Sequence, residues 1–318
     1  VEMVHLSPYM KSVIERLTAD KKRPAVHTYN ATLNSFTKFS GGQGTEEMLV
    51  TDVFTAGKLK EYEAWLRSRN CSWNTVSTYM RVLKAVYNRL VEAKRLTYDA
   101  RLFDSVYTKV EAQSKRSLTE EQMNTLLRTD FEKLPEDVQN VLAYFLLMFL
   151  FRGMPFIDMA YLRKQDLKEH CITYCRHKTG KKMVVRIPHE ATALFEKCRN
   201  KKTDSGYLFP ILDETTENEK KLYENYRQAL RTFNRKLAKM AALLLPGTNI
   251  SSYTARHTWA TLAFYSGIPI GIISKALGHS SIKVTETYLK PFENEKVDAA
   301  NDELIMSVVK RSKEKIVA

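Results

Sequence analysis

Apolar positions recur at steps of three and four through the first hundred residues, the spacing of helices with one buried face. Met10, Val13, Ile14 and Leu17 mark a helix over 7–19, with Ser7 and Pro8 suited to its cap and first turn. Residues 27–40 repeat the pattern and stop at Gly41 and Gly42. Residues 54–70 and 73–95 add two more helices, the last with Val76, Tyr79, Met80, Leu83, Val86, Tyr87 and Leu90 on one face. This predicts a bundle of about four helices over 1–110.

Residues 111–117 are polar and aperiodic, which predicts a linker. Thr119, three residues before Gln122, predicts a capping box, and a strongly apolar helix follows over 138–151. The pattern then changes to short β runs: 171–175 and 183–187 flank the turn His177-Lys178-Thr179-Gly180-Lys181, predicting a hairpin. Helical spacing returns over 191–200, 219–245, 255–265, 269–277 and 282–289. A tail helix over 297–309 carries Ile305, Met306, Val308 and Val309. The fold class is therefore mainly α: a helical bundle, then an α-rich second domain over 118–318 with one small sheet. The tail helix packs either on its own domain or on a neighbouring protomer.

Composition narrows the function. Fifty Lys and Arg stand against 36 Asp and Glu, a formal charge of +14. Residues 1–110 hold 17 basic and 11 acidic residues, and the remainder holds 33 and 25. Positive charge on both parts fits a clamp around a polyanion or simply a basic protein, whereas a basic tail would concentrate it at one end. Four cysteines are too few and too scattered for a disulfide framework. The longest apolar run, 141–151, is eleven residues, too short to cross a bilayer, and 1–23 lacks the apolar stretch of a signal peptide. These features predict a cytoplasmic, nucleoid-associated protein. His170, Cys171, Cys175 and His177 suggest zinc, but alternate side chains on a strand stand roughly 7 Å apart, too far for one tetrahedral ion. Small buried apolar cysteines are expected instead, and no metal.

The chemistry lies in three motifs. Tyr253-Thr-Ala-Arg256-His257-Thr-Trp-Ala-Thr261 resembles the H-x-x-R-H-T-x-A-T block of the tyrosine recombinase (phage integrase) family. Leu277-Gly278-His279, followed nine residues later by Tyr288, resembles that family's L-G-H…Y block. The turn Lys178-Thr179-Gly180-Lys181 is similar to its hairpin lysine. The first hundred residues look like the family's SAM-like core-binding domain, so the resemblance covers the whole chain. It implies a recombinase that cleaves and rejoins DNA through a 3′-phosphotyrosyl bond, with Tyr288 as nucleophile. Arg256 would hold the non-bridging phosphate oxygens with its planar donor fork, and His279 would add a donor or assist proton transfer. Lys178, on a mobile turn, would protonate the leaving 5′-oxygen. Neither metal nor nucleotide cofactor is implied, because cationic side chains carry the charge and the phosphotyrosyl bond conserves the energy of the link.

Two positions depart from the family pattern. The first family arginine belongs to T-G-x-R-x-x-E, yet Arg152-Gly153-Met154-Pro155-Phe156-Ile157-Asp158 has Pro155 at that place. Arg152, three residues earlier, would be roughly 4.5 Å away if the rise were helical, within reach of a long side chain. This R-G-M-P-F variant resembles Bacteroides-type integrases and invertases. Asp158 stands where the family has an acidic residue that braces the arginines. Tyr253 replaces a histidine and cannot titrate near neutrality.

The implied partners are double-stranded DNA recombination sites, bound by a homo-tetramer on paired sites, with accessory DNA-bending proteins as a further class. The resemblance implies the second placement of the tail helix, on a neighbouring protomer. Arg81, Lys84, Lys115 and Arg116 are candidate phosphate contacts. Two other readings use the same residues: a type IB topoisomerase-like relaxing enzyme, and a catalytically impaired DNA-binding regulator, made conceivable by Pro155 and Tyr253. Integration, excision, inversion and dimer resolution share one active site and are not separated by sequence.

Overall fold

A computed structural model describes residues 3–41, 48–109, 117–213, 218–287, 289, 298, 300–306 and 309. The chain divides into two compact units, Val1–Gln113 and Ser114–Ala318.

The first unit holds helices α1 (Leu6–Ala19), α2 (Arg23–Phe39), α3 (Val50–Val53), α4 (Ala56–Ser68) and α5 (Trp73–Glu92). Side-chain caps start α4 and α5: Thr55 accepts from the Lys58 amide, and Ser72 from the Thr75 amide. On α5, Val76, Met80, Leu83, Val86 and Leu90 are fully buried in one cluster with Leu6 and Met10 of α1, Phe36 of α2, and Leu59 and Tyr62 of α4. Each such side chain contributes on the order of 2 kcal/mol of burial. Arg81 and Lys84 lie on the opposite, exposed face of α5. Sequence periodicity missed only the four-residue α3, too short to show a period.

The second unit is built round α7 (Glu136–Leu150), whose Val138, Val141, Leu142, Phe145 and Leu146 are buried. Before it comes α6 (Glu120–Leu127), opened by the expected capping box: the Gln122 amide donates to Thr119 Oγ1, and the Thr119 amide to Gln122 Oε1. After it come α8 (Phe156–Tyr161) and an antiparallel sheet of β1 (Leu167–Lys168), β2 (Cys171–Cys175) and β3 (Lys182–Arg186). Ile172 pairs with Val185 and Tyr174 with Met183, and these four face the core. That register turns Cys171, Thr173 and Cys175 the other way, so Cys175 is exposed and Cys171 half-buried. The expectation of buried cysteines fails on strand parity.

Helices α9 (Thr192–Cys198), α10 (Glu219–Leu244), α11 (Thr254–Tyr265), α12 (Ile270–Leu277) and α13 (Ile282–Glu286) complete the unit. The α12 end decides where the site loop goes. Gly278 takes a left-handed φ of 66°, and the His279 amide donates back to the Ser274 carbonyl at 3.0 Å, closing a Schellman-type stop. In the tail, 300–306 are helical, with Leu304, Ile305 and Met306 exposed. Among the described residues no helix is long and apolar enough to cross a membrane.

Candidate active site

Arg256 comes from the first turns of α11 and is only 2 % exposed. Its guanidinium is fixed by acceptors from two other segments. Nη1 donates to the Gly153 carbonyl at 3.0 Å, and Nη2 donates to the Leu277 carbonyl at 2.5 Å. Nη2 also lies 3.0 Å from Nε2 of His279. Gly153 lets the first contact form: its φ is 66°, and a Cβ there would meet the Arg256 Cα at 2.9 Å.

His279 is 7 % exposed, and its Nδ1 lies 2.8 Å from Thr285 Oγ1 on α13. Burial, and then the charges of Arg256, Arg176, Lys178 and Lys181, push its pKa down to about 4. The imidazole is therefore neutral near pH 7. A guanidinium has donors only, so Nε2 must be the acceptor and Nδ1 the protonated nitrogen. In this arrangement His279 accepts from Arg256 and does not present a second donor to the pocket.

Two cationic residues that sequence reasoning overlooked complete the frame. Arg176 follows β2 and is buried; its Nη1 donates to the carbonyls of Leu277 at 3.0 Å and Gly278 at 3.3 Å. Its Nε lies 3.4 Å from Asp158 Oδ2, while Asp158 Oδ1 accepts from the His177 amide at 2.8 Å. The acidic residue expected to brace the arginines of the two family motifs thus pairs with Arg176, between α8 and the hairpin. Burial still raises the Asp158 pKa, with the His177 amide and Arg176 opposing it. Strand parity was the available signal: Ile172 and Tyr174 point inward, so position 176 continues the inward series, and an inward arginine requires partners. Lys181 is the second: its Nζ donates to the His279 carbonyl at 3.1 Å. Gly278 packs against the hairpin, since a Cβ there would meet Met183 Sδ at 2.7 Å and Arg176 Cδ at 2.8 Å.

Lys178 stands exposed in the hairpin turn, near enough to act on His279 electrostatically. Arg152 is half-buried and left-handed, with φ 58°, in the bend between α7 and α8. The helical offset assumed from sequence does not apply, because α7 ends at Leu150 and α8 begins at Phe156. Nη1 of Arg152 makes a long hydrogen bond, 3.4 Å, to the Val184 carbonyl on β3. Its charge, with those of Arg176 and Arg256, acts on the hydroxyl of Tyr174. Tyr253 caps α11, 46 % exposed, with its ring 6.0 Å from that of His257. Tyr288, Lys115 and Arg116 lie outside the described residues, while Arg81 and Lys84 belong to the first unit. Among the described residues no group of three or more His, Cys, Asp or Glu is arranged to hold a metal.

Residues 5–101 match the phage integrase SAM-like domain. The chain is 26% identical over 243 residues to tyrosine recombinase XerA of Pyrococcus furiosus, covering 74% of this chain and 76% of that protein. It is 24% identical over 271 residues to tyrosine recombinase XerC of Rickettsia bellii, covering 83% and 85%. In fold it is similar to the Tn1549 transposon integrase in complex with a circular intermediate DNA, with TM-score 0.65 and 17% identity over 95% of this chain and 100% of that one. A lambda integrase tetramer bound to a Holliday junction gives TM-score 0.65 at 14% identity, over 91% of this chain and 78% of that one. Residues 116–295, more than half of the sequence and including the whole cluster around Arg256, match the phage integrase family, and the chain belongs to that family of tyrosine recombinases.

Proposed function

We propose that this chain is a site-specific DNA recombinase that breaks and rejoins duplex DNA through a 3′-phosphotyrosyl intermediate at Tyr288. The observation that carries the reading is the buried guanidinium of Arg256, fixed by Gly153, Leu277 and His279 within a cluster that also gathers Arg152, Arg176, Lys178 and Lys181. Such a concentration of fixed positive charge suits a phosphodiester that gains negative charge as it is attacked. Tyr288 gives its phenol proton to solvent and its oxygen attacks phosphorus as the bond to the 5′-oxygen breaks, and Arg256 stabilises the phosphorane oxygens, with Arg152 as a second cation. Lys178 gives a proton to the departing 5′-oxygen. Rejoining runs the same steps backwards, so no cofactor is consumed.

Duplex recombination sites are the proposed substrate, contacted by the second unit and by Arg81 and Lys84 on α5, with 1–110 as core-binding domain and 118–318 as catalytic domain. Four protomers acting on two sites fit strand exchange, and the lambda integrase tetramer on a Holliday junction supports that stoichiometry by analogy of fold. The test is a nicked suicide substrate carrying the cognate site. The unaltered protein should form a covalent adduct and Tyr288→Phe none; an adduct with Tyr288→Phe overturns the nucleophile. Site-independent relaxation of plasmid DNA by monomers would mark a topoisomerase instead.

A further inference from the structure

We infer that Thr285 is a positioning residue for the strand-cleavage step: its buried hydroxyl fixes the ring and the tautomer of His279, and through that ring the guanidinium of Arg256. The inference rests on the recombinase reading for its effect on cleavage, but its structural half stands on geometry alone. Thr285 is fully buried on α13, and its Oγ1 lies 2.8 Å from His279 Nδ1. On the other side of the same ring, Nε2 lies 3.0 Å from Arg256 Nη2.

The donor inventory assigns the protons along this line. Arginine offers no acceptor, so Nε2 must accept, and a neutral imidazole then carries its proton on Nδ1 and donates it to Thr285 Oγ1. Without the hydroxyl, the buried Nδ1–H would lose its Oγ1 acceptor. The other tautomer would point an N–H at a guanidinium N–H, so the ring can recover a partner for Nδ1 only by turning away from Arg256, after which nothing holds a single tautomer. The line thus runs hydroxyl, imidazole, guanidinium, with each ring nitrogen set by what the other one meets. Thr285 also lies three residues before Tyr288 in sequence. Any shift of α13 that moves the nucleophile segment is therefore felt at His279 and Arg256.

The side chain at 285 never needs to touch DNA for this role, which separates it from a phosphate contact. Its removal should slow the chemical step and leave binding alone. Valine is close in shape to threonine and lacks only the hydroxyl, so Thr285→Val removes the bond with little change in packing. Thr285→Ser keeps the hydroxyl and loses a methyl group.

The experiment has two readouts on the full chain. Two-bond 15N–1H correlation spectra, with the His279 signals assigned by their loss in His279→Gln, report which ring nitrogen is protonated. The unaltered protein and Thr285→Ser should show protonated Nδ1, and Thr285→Val should not. Single-turnover cleavage of the nicked suicide substrate should fall about tenfold or more in Thr285→Val, with unchanged DNA affinity, and return to within about threefold in Thr285→Ser. Protonated Nδ1 retained in Thr285→Val, or cleavage by Thr285→Val at the unaltered rate, overturns the inference. Equal slowing in Thr285→Val and Thr285→Ser also overturns it, because a packing role alone would produce that. If the unaltered protein forms no adduct, the recombinase reading fails, and the spectra still decide the tautomer.

Discussion

Asp158 and Arg176 form an ion pair whose side chains are 1% and 6% exposed, with 3.4 Å between Oδ2 and Nε. The pair joins α8 to the sheet, and the same guanidinium reaches on to the loop that presents His279. Breaking it from one side leaves a buried carboxylate without its cation. Arg176→Met is expected to cost roughly 3–5 kcal/mol of stability, and Arg176→Met with Asp158→Leu markedly less. Urea denaturation of both variants checks this, and equal losses would contradict it.

The two glycines of the site should not tolerate a methyl group equally. At Gly153 the obstruction is the Arg256 backbone at 2.9 Å, which cannot turn aside. At Gly278 it is the ends of Met183 and Arg176, which can move. Both alanines also pay for a left-handed φ, roughly 1–2 kcal/mol. Gly153→Ala is expected to lose more stability and nearly all adduct formation, and Gly278→Ala less of each. Thermal melts with the suicide-substrate assay measure the order.

The pH dependence follows from His279. Its folded pKa, about 4, lies below the ordinary value of 6.5, so the unfolded chain binds the proton first as the solution is acidified. Stability from this group is complete above about 6.5 and declines as the pH falls towards 4. The unaltered protein should therefore lose stability relative to His279→Gln between pH 7.5 and pH 5. Paired denaturation curves at those two values test the sign.

Lys178 as the proton donor makes a chemical prediction. A sulfur leaving group needs no protonation, so Lys178→Ala should cleave ordinary DNA about 100-fold or more slowly. A substrate with sulfur at the bridging 5′ position should restore most of that rate. If Lys181→Ala shows the rescue and Lys178→Ala does not, the donor is Lys181.

Arg81 and Lys84, one helical turn apart on the exposed face of α5, should act through phosphates. Replacing both with alanine is expected to lower the slope of log affinity against log salt by about 1.8, similarly for cognate and random duplexes. An effect confined to the cognate site would mark them as base readers instead.

The helices with long apolar stripes and the hairpin with its glycine turn were legible because each carries a period or a turn signal. Helix α8 has six residues and β1 two, and neither length can display one. The motif residues Arg256 and His279 were legible from their spacing, and the structure places them side by side. Arg152 was found, but its setting was misjudged. Consecutive left-handed residues at 152 and 153 replace the assumed helical rise, and nothing in a non-glycine arginine announces a positive φ. Arg176 was missed although strand parity turns it inward, and Lys181 because its partner is a main-chain oxygen some hundred residues away, which no local pattern encodes.

The carbonyl of Leu277 receives two guanidinium groups, and those of Gly278 and His279 receive Arg176 and Lys181. These acceptors belong to the peptide chain and are present whatever side chain each position carries. Much of the frame is thus indifferent to residue identity at its acceptor end and sensitive only to the path of the backbone. A change that redirects the loop by one peptide, such as a proline or a single-residue insertion between Ser274 and His279, would release three cations at once. Ser280 and Ile282 beside it are exposed and supply none of these acceptors.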